Sequence, residues 1–129
     1  GASVVENVVT EVMDIESADI GEMDSRLTIA DGIIVGSPTI NQNTLLPVYK
    51  LMAMVSPLRD RGKLAGSFGS YGWSGEAPTL IAEMLGNLKL KLFEKPAAYK
   101  FVPESDKEEP LIEYGRRFAT ALTAIEAEA

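Results

Sequence analysis

The sequence predicts an α/β domain built on a mainly parallel sheet, and two observations carry that reading. Short runs of β-branched and small residues, each closed by turn residues, recur at 31–39, 63–70 and 97–102. Amphipathic helical patterns lie between and after them, giving the order strand, helix, strand, helix, strand, helix. Parallel neighbours need a long crossover connection, which a helix supplies, so this alternation selects a parallel sheet.

Each element has a local justification. The stretch "TEVMDI" at 10–15 reads as a strand, and Met23–Ile29 as a short helix leading into the next one. In "DGIIVGSPT", 31–39, the run Ile33–Ile34–Val35 reads as a strand buried on both faces, as parallel strands usually are. The following "TLLPVYKLMAMVS" places Leu45, Val48, Leu51, Met52 and Val55 on one helical face. Thr44 is positioned to cap that helix, with Pro47 in its first turn. "KLAGSFGS", 63–70, has small residues where a strand must let a helix pack closely. "APTLIAEMLGNL" gathers Leu80, Ile81, Met84 and Leu85 on one stripe, and "AAYKFV", 97–102, is the next strand. A last helix runs from Pro110 with Leu111, Tyr114, Phe118, Leu122 and Ile125 aligned. No linker or repeat divides the chain, so residues 1–129 are expected to form a single domain.

Composition narrows the chemistry. The chain contains neither cysteine nor histidine, which removes thiolate chemistry, the commonest general base and the commonest transition-metal ligand. A net charge of −7 argues against a nucleic-acid partner, because phosphate backbones need a basic face. It suits a basic protein partner. No apolar run is long enough to span a membrane, and a reducing, cytoplasmic setting is compatible with the lack of cysteine. There is no phosphate-binding G-x-x-x-x-G-K-[ST] motif, and a serine-hydrolase triad fails without histidine. The acidic series Glu11, Asp14, Glu16, Asp19 and the stretch "PESDKEEP", 103–110, read as a solvated edge and a solvated loop rather than metal sites. No metal ligands are expected.

Two segments combine turn residues, small hydroxyls and backbone amides after a predicted strand: "GSPTINQNT", 36–44, and "GSYGWSGE", 69–76. Ligands of open parallel sheets sit beyond the carboxyl ends of the strands, where both loops would lie. Taken singly, each has a plain structural reading: a tight turn for the glycines and serines, turn or cap roles for Asn41 and Asn43, and Trp73 folded back over the sheet. Together on one edge, with the chain's one tryptophan between glycines, they form a candidate seat for a planar polar ligand.

The stretches "DGIIVGSPTIN" and "FGSYGWSGEA" resemble the flavodoxin-like domain of the flavo-diiron proteins, also called A-type flavoproteins, over roughly residues 9–120. The resemblance implies a flavodoxin-like, three-layer α/β/α fold and FMN as cofactor. It implies one FMN-contacting loop made of Ser37, Pro38, Thr39, Ile40 and Asn41, and another made of Ser70, Tyr71, Gly72, Trp73 and Gly75. It also implies electron transfer from a reductase or rubredoxin-like donor to a diiron centre, on another domain, that reduces oxygen or nitric oxide. The family's opening strand and hydroxyl- and glycine-rich phosphate loop have no counterpart here, beyond Gly1–Ala2–Ser3 as the tail of such a loop. The domain is therefore expected to be N-terminally truncated, and the strand edge this leaves open favours pairing between copies. The alternatives are a cofactor-free flavodoxin-like interaction or assembly module and a flavin-dependent NAD(P)H or quinone reductase.

Overall fold

A computed structural model describes residues 1–101 and 105–128. The chain resolves into two compact units, Met13–Phe101 and Gly1–Val12 with Val102–Ala129.

The first unit is a sheet with three helices. Helix α1 spans Ile20–Ile29, starting before the expected Met23 because Asp19 caps it: its carboxylate accepts the Glu22 N–H at 2.7 Å. Strand β1 follows at Gly32–Gly36, helix α2 at Leu46–Met54, strand β2 at Leu64–Tyr71 and helix α3 at Ala77–Asn87. Strands β3, Lys91–Leu92, and β4, Ala97–Lys100, complete the sheet. All pairings are parallel: β1 lies along one edge of β2, and β3 and β4 share the other, opposite its first and second halves. What the sequence presents as one strand at 97–102 is thus the second half of an interrupted edge strand; residue 102 lies outside the described residues.

Alternation along the strands decides which residues face the main core, while β2 is buried on both faces over Leu64–Ser67. Ile33, Val35 and Ala65 face a core built with Met23 and Leu27 of α1, Val48, Leu51 and Met52 of α2, Val55, Ile81 and Leu85 of α3, and Leu90. Ser67 shares that face and donates to the Pro78 carbonyl at 2.8 Å, so a small polar residue fits where the helix comes close.

Several expectations need correction. Residues 10–15 form no strand: Met13 and Ile15 do pack on the core in alternation, but no strand pairs with them among the described residues. Val35 is buried, yet Ile33 and Ile34 are only half-buried, because β1 is an edge strand. The N-cap of α2 is Leu45 rather than Thr44, and it makes no side-chain cap bond.

The second unit contains a 3-10 turn, Ala2–Val4, and helix α4, Ser105–Glu128. The last helix therefore starts ahead of Pro110, and 105–110 is helical rather than a solvated loop; 103 and 104 lie outside the described residues. Pro110 near the start of α4 removes a single backbone donor, which a helix of this length tolerates. Tyr114, Phe118 and Ala119 are its buried positions, while Leu111, Leu122 and Ile125 are half-buried on the expected stripe. Gly115 lies against the 3-10 turn, where a Cβ would come within 3.1 Å of the Ala2 nitrogen.

Candidate functional site

Both loops singled out in the sequence leave the carboxyl ends of adjacent strands, the first from β1 and the second from β2, and they are bonded to each other. Ser37 N–H donates to Phe68 O at 3.2 Å, and Thr39 N–H donates to Ser70 O at 2.9 Å, carrying the β1–β2 ladder past the strand end. The Thr39 hydroxyl then accepts the Ala77 N–H at 3.0 Å, tying the first loop to the start of α3. Gly69 makes this contact possible, since a Cβ there would sit 2.1 Å from the Ser37 carbonyl oxygen.

The first loop bonds most of its polar groups to one another. Ser37 is buried; its hydroxyl donates to Pro38 O at 2.8 Å and accepts the Leu45 N–H at 3.1 Å, doing the tethering the sequence assigned to Thr44. Ile40 and Asn43 exchange backbone hydrogen bonds at 3.0 Å around Asn41 and Gln42, both at positive φ. Two such central residues define a type I′ turn, which asparagine tolerates and glutamine rarely adopts. Asn43 completes the turn by accepting from the Thr44 N–H and the Tyr49 hydroxyl. Pro38 and Ile40 remain exposed on its outer side.

The second loop is the opposite. The backbone N–H groups of Gly72, Trp73, Ser74 and Gly75 meet no acceptor among the described residues. Trp73 is 97% exposed and does not fold back on the sheet. None of Gly66, Gly69, Gly72 and Gly75 lies at positive φ, so these glycines act here through the missing Cβ. At Gly72 a Cβ would meet the Phe101 ring at 2.9 Å, and at Gly75 the Tyr71 ring at 3.1 Å. Ser70 and Tyr71 are half-buried at the end of β2, and Phe101 N–H donates to Tyr71 O at 2.7 Å.

Three more residues bear on the site, Thr44 and Glu76 from within the two stretches the sequence singles out and Phe101 from outside them. Thr44 is buried and its hydroxyl has no partner, and one carboxylate oxygen of Glu76 is buried and unpartnered. Both are polar groups of the kind that costs free energy until something bonds to them. A shallow depression of about 320 Å³ lies beside Glu76, lined also by Gly75, Thr79 and Leu80. The third is Phe101, 65% exposed at the end of β4. Only the three-dimensional path brings it against Gly72, so spacing in the sequence could not flag it.

A planar heteroaromatic cofactor fits this edge: it has an exposed indole, free amide donors and orphaned polar atoms. Gly1–Ser3 enter a three-residue 3-10 turn with no side-chain cap and no buried residue. Among the described residues no cluster of acidic side chains could hold a metal ion, and no helix is long and apolar enough to cross a membrane.

Comparison with known proteins places the chain. No family model matches it. It is 33% identical over 120 residues, 93% of its length, to the flavo-diiron protein FprA2 of Clostridium acetobutylicum, of which it covers 30%. It is 36% identical over 100 residues, 78% of its length, to the rubredoxin-oxygen oxidoreductase of Megalodesulfovibrio gigas, of which it covers 25%. The chain thus spans less than a third of the length of these curated relatives. Among solved structures it resembles a flavodoxin from the domain Archaea, with a TM-score of 0.78 and 30% identity, over 91% of this chain and 80% of that one. The chain belongs to the flavodoxin family, and its sequence relatives are flavo-diiron proteins matched over this flavodoxin-like region.

Proposed function

We propose that the chain is an FMN-binding electron-transfer domain of an oxidoreductase. In this reading it accepts electrons from a reductase or rubredoxin-like donor and passes them to a diiron centre, on another domain, that reduces oxygen or nitric oxide. The observation that carries the reading is Trp73, 97% exposed on a loop whose amides are free, at the edge where two strand-end loops are bonded together. A large ring gains its stabilisation from burial, so one held in solvent on a tethered loop is best explained by a ligand that covers it. The names of the relatives support the same reading.

A bound flavin supplies the redox chemistry itself. The chain's residues would hold and orient it. Trp73 covers a ring face, and the N–H groups of Gly72, Trp73, Ser74 and Gly75 donate to polar ring atoms. Ser70 and Tyr71 set the root of that loop, while Ser37 and Thr39 fix the first loop against it. Pro38, Ile40 and Asn41 then wall the opposite side. The excess of acidic residues suits docking of a basic redox protein.

The test is a titration of the purified chain with FMN, read by Trp73 fluorescence and the visible spectrum. Saturable quenching with a bound-flavin spectrum is the expected result; emission unchanged up to high FMN rejects the reading. A cofactor-free interaction module is the second reading, favoured by the first loop, which bonds its own backbone amides and side chains to one another. It predicts no quenching by FMN at any concentration.

A further inference from the structure

We propose that Phe101 is a ligand-contacting residue of the same site, a second aromatic wall beside Trp73 for a planar, electron-accepting ring system. This rests on the flavin reading and adds a residue to it. Phe101 ends β4 with φ +55°, in the left-handed region that bulky side chains rarely adopt. Such strain persists only where surrounding structure enforces it, and it concentrates at ligand sites. Here the enforcement is visible: the Phe101 N–H is bonded to Tyr71 O at 2.7 Å, and the ring lies against Gly72, where any Cβ would come within 2.9 Å of it.

The strain has no return in core burial, since Phe101 stays 65% exposed. Covering Gly72 would not require it either, because any apolar side chain at ordinary φ could do that. What the geometry achieves is to present a ring at the root of the loop that carries Trp73 and the free amides. Lys100 sets its ammonium 5.8 Å from the Phe101 ring centroid, adding a positive charge to that wall within an acidic chain. A ring flanked by a cation suits a planar electron-accepting ligand, whose ring gains negative charge on reduction, as a flavin's does.

Two substitutions separate contact from packing. Phe101→Gly relieves the left-handed strain, so its thermal midpoint should hold or rise while FMN affinity falls roughly three- to tenfold, the value of an aromatic pair. Phe101→Tyr keeps the plane and should bind like the unmodified chain. FMN affinity within twofold of wild type in Phe101→Gly overturns the proposal while leaving the flavin reading intact. Should Phe101→Gly not fold, the unmodified chain decides: FMN should shift the Phe101 ring proton resonances, and unshifted resonances in a chain that binds FMN overturn it. If the unmodified chain binds no FMN at all, the flavin reading fails and this proposal with it.

Discussion

At the amino end of the sheet, Asp60 is 1% exposed and fully bonded; at the carboxyl end, Trp73 is 97% exposed and makes no hydrogen bond among the described residues. The Asp60 carboxylate accepts from Arg59 Nε and Nη2 at 3.0 and 2.8 Å, from Lys63 Nζ at 2.8 Å and from the Ser56 N–H at 2.9 Å. The cations reach onward, Arg59 to Asp24 at 2.9 Å and Lys63 to the Leu27 carbonyl at 2.6 Å, so the turn before β2 is clamped to α1. Burial alone would push the Asp60 carboxyl up, but the bonds from Arg59, Lys63 and the Ser56 amide outweigh it and hold the group well below its ordinary range. The hydrogen bonds that Arg59 donates to Asp60 and Asp24 raise the guanidinium correspondingly. One end of the sheet thus spends its polar groups on itself, and the other keeps donors free. Stability and binding are therefore separable in this molecule, which gives the comparison its experimental content.

The largest effect should come from Asp60→Asn. It takes the counter-charge from half-buried Lys63 and one of two from half-buried Arg59, which keeps Asp24, and it sets an amide N–H among buried donors, costing about 3–5 kcal/mol. Denaturant unfolding should show the loss in the midpoint. Next is Gly69→Ala, which forces the first loop off the second by driving a Cβ into the Ser37 carbonyl. The cost is about 1–3 kcal/mol, and FMN affinity should fall with it. Acid offers a titration of the same contrast. The contribution of Asp60 is fully present above its unfolded value of 3.8 and is lost as pH falls below that toward the depressed folded value. Unfolding free energies measured from pH 6 downward should therefore drop below about pH 4 in the unmodified chain, and less steeply in Asp60→Asn. The smallest effect on stability belongs to Trp73→Ala, within about 0.5 kcal/mol of wild type, with FMN binding weakened. Its affinity must be followed by flavin fluorescence, because the indole probe is gone. A large loss of stability in Trp73→Ala would erase the comparison, since Trp73 would then be part of the fold.

How much of this was legible in the sequence depended on whether the signal was local. Ile33–Val35, the stripe Val48–Leu51–Met52 and the stripe Ile81–Leu85 carry their periodicity within a few residues, and each element formed where that periodicity put it. The two loops were visible because turn residues followed each strand. The run at 10–15 failed for a non-local reason: its alternation is real at Met13 and Ile15, but a strand exists only if another strand lies beside it. Thr44 has the composition of a cap, yet the Ser37 hydroxyl, eight residues away, holds the Leu45 amide instead. The roles of Glu76 and Phe101 were invisible because the sequence does not show which polar atoms end up buried without partners or which ring folds against which glycine.

The edge of β1 along which no strand pairs among the described residues has a consequence on the timescale of solvent exchange. Ser37 and Thr39 direct their N–H groups at β2, so in a parallel ladder the odd-numbered residues Ile33 and Val35 do the same, and Ile34 and Gly36 direct theirs away. Deuterium should therefore enter this one strand in alternation, slowly at Ile33 and Val35 and quickly at Ile34 and Gly36. The opposite edge of the sheet is defended by Lys91, Lys95, Pro96 and Lys100, while β1 carries no charge and no proline. The Ile34 amide is thus a built-in clock for this edge: it runs fast while the edge is bare and slows when a strand lies along it.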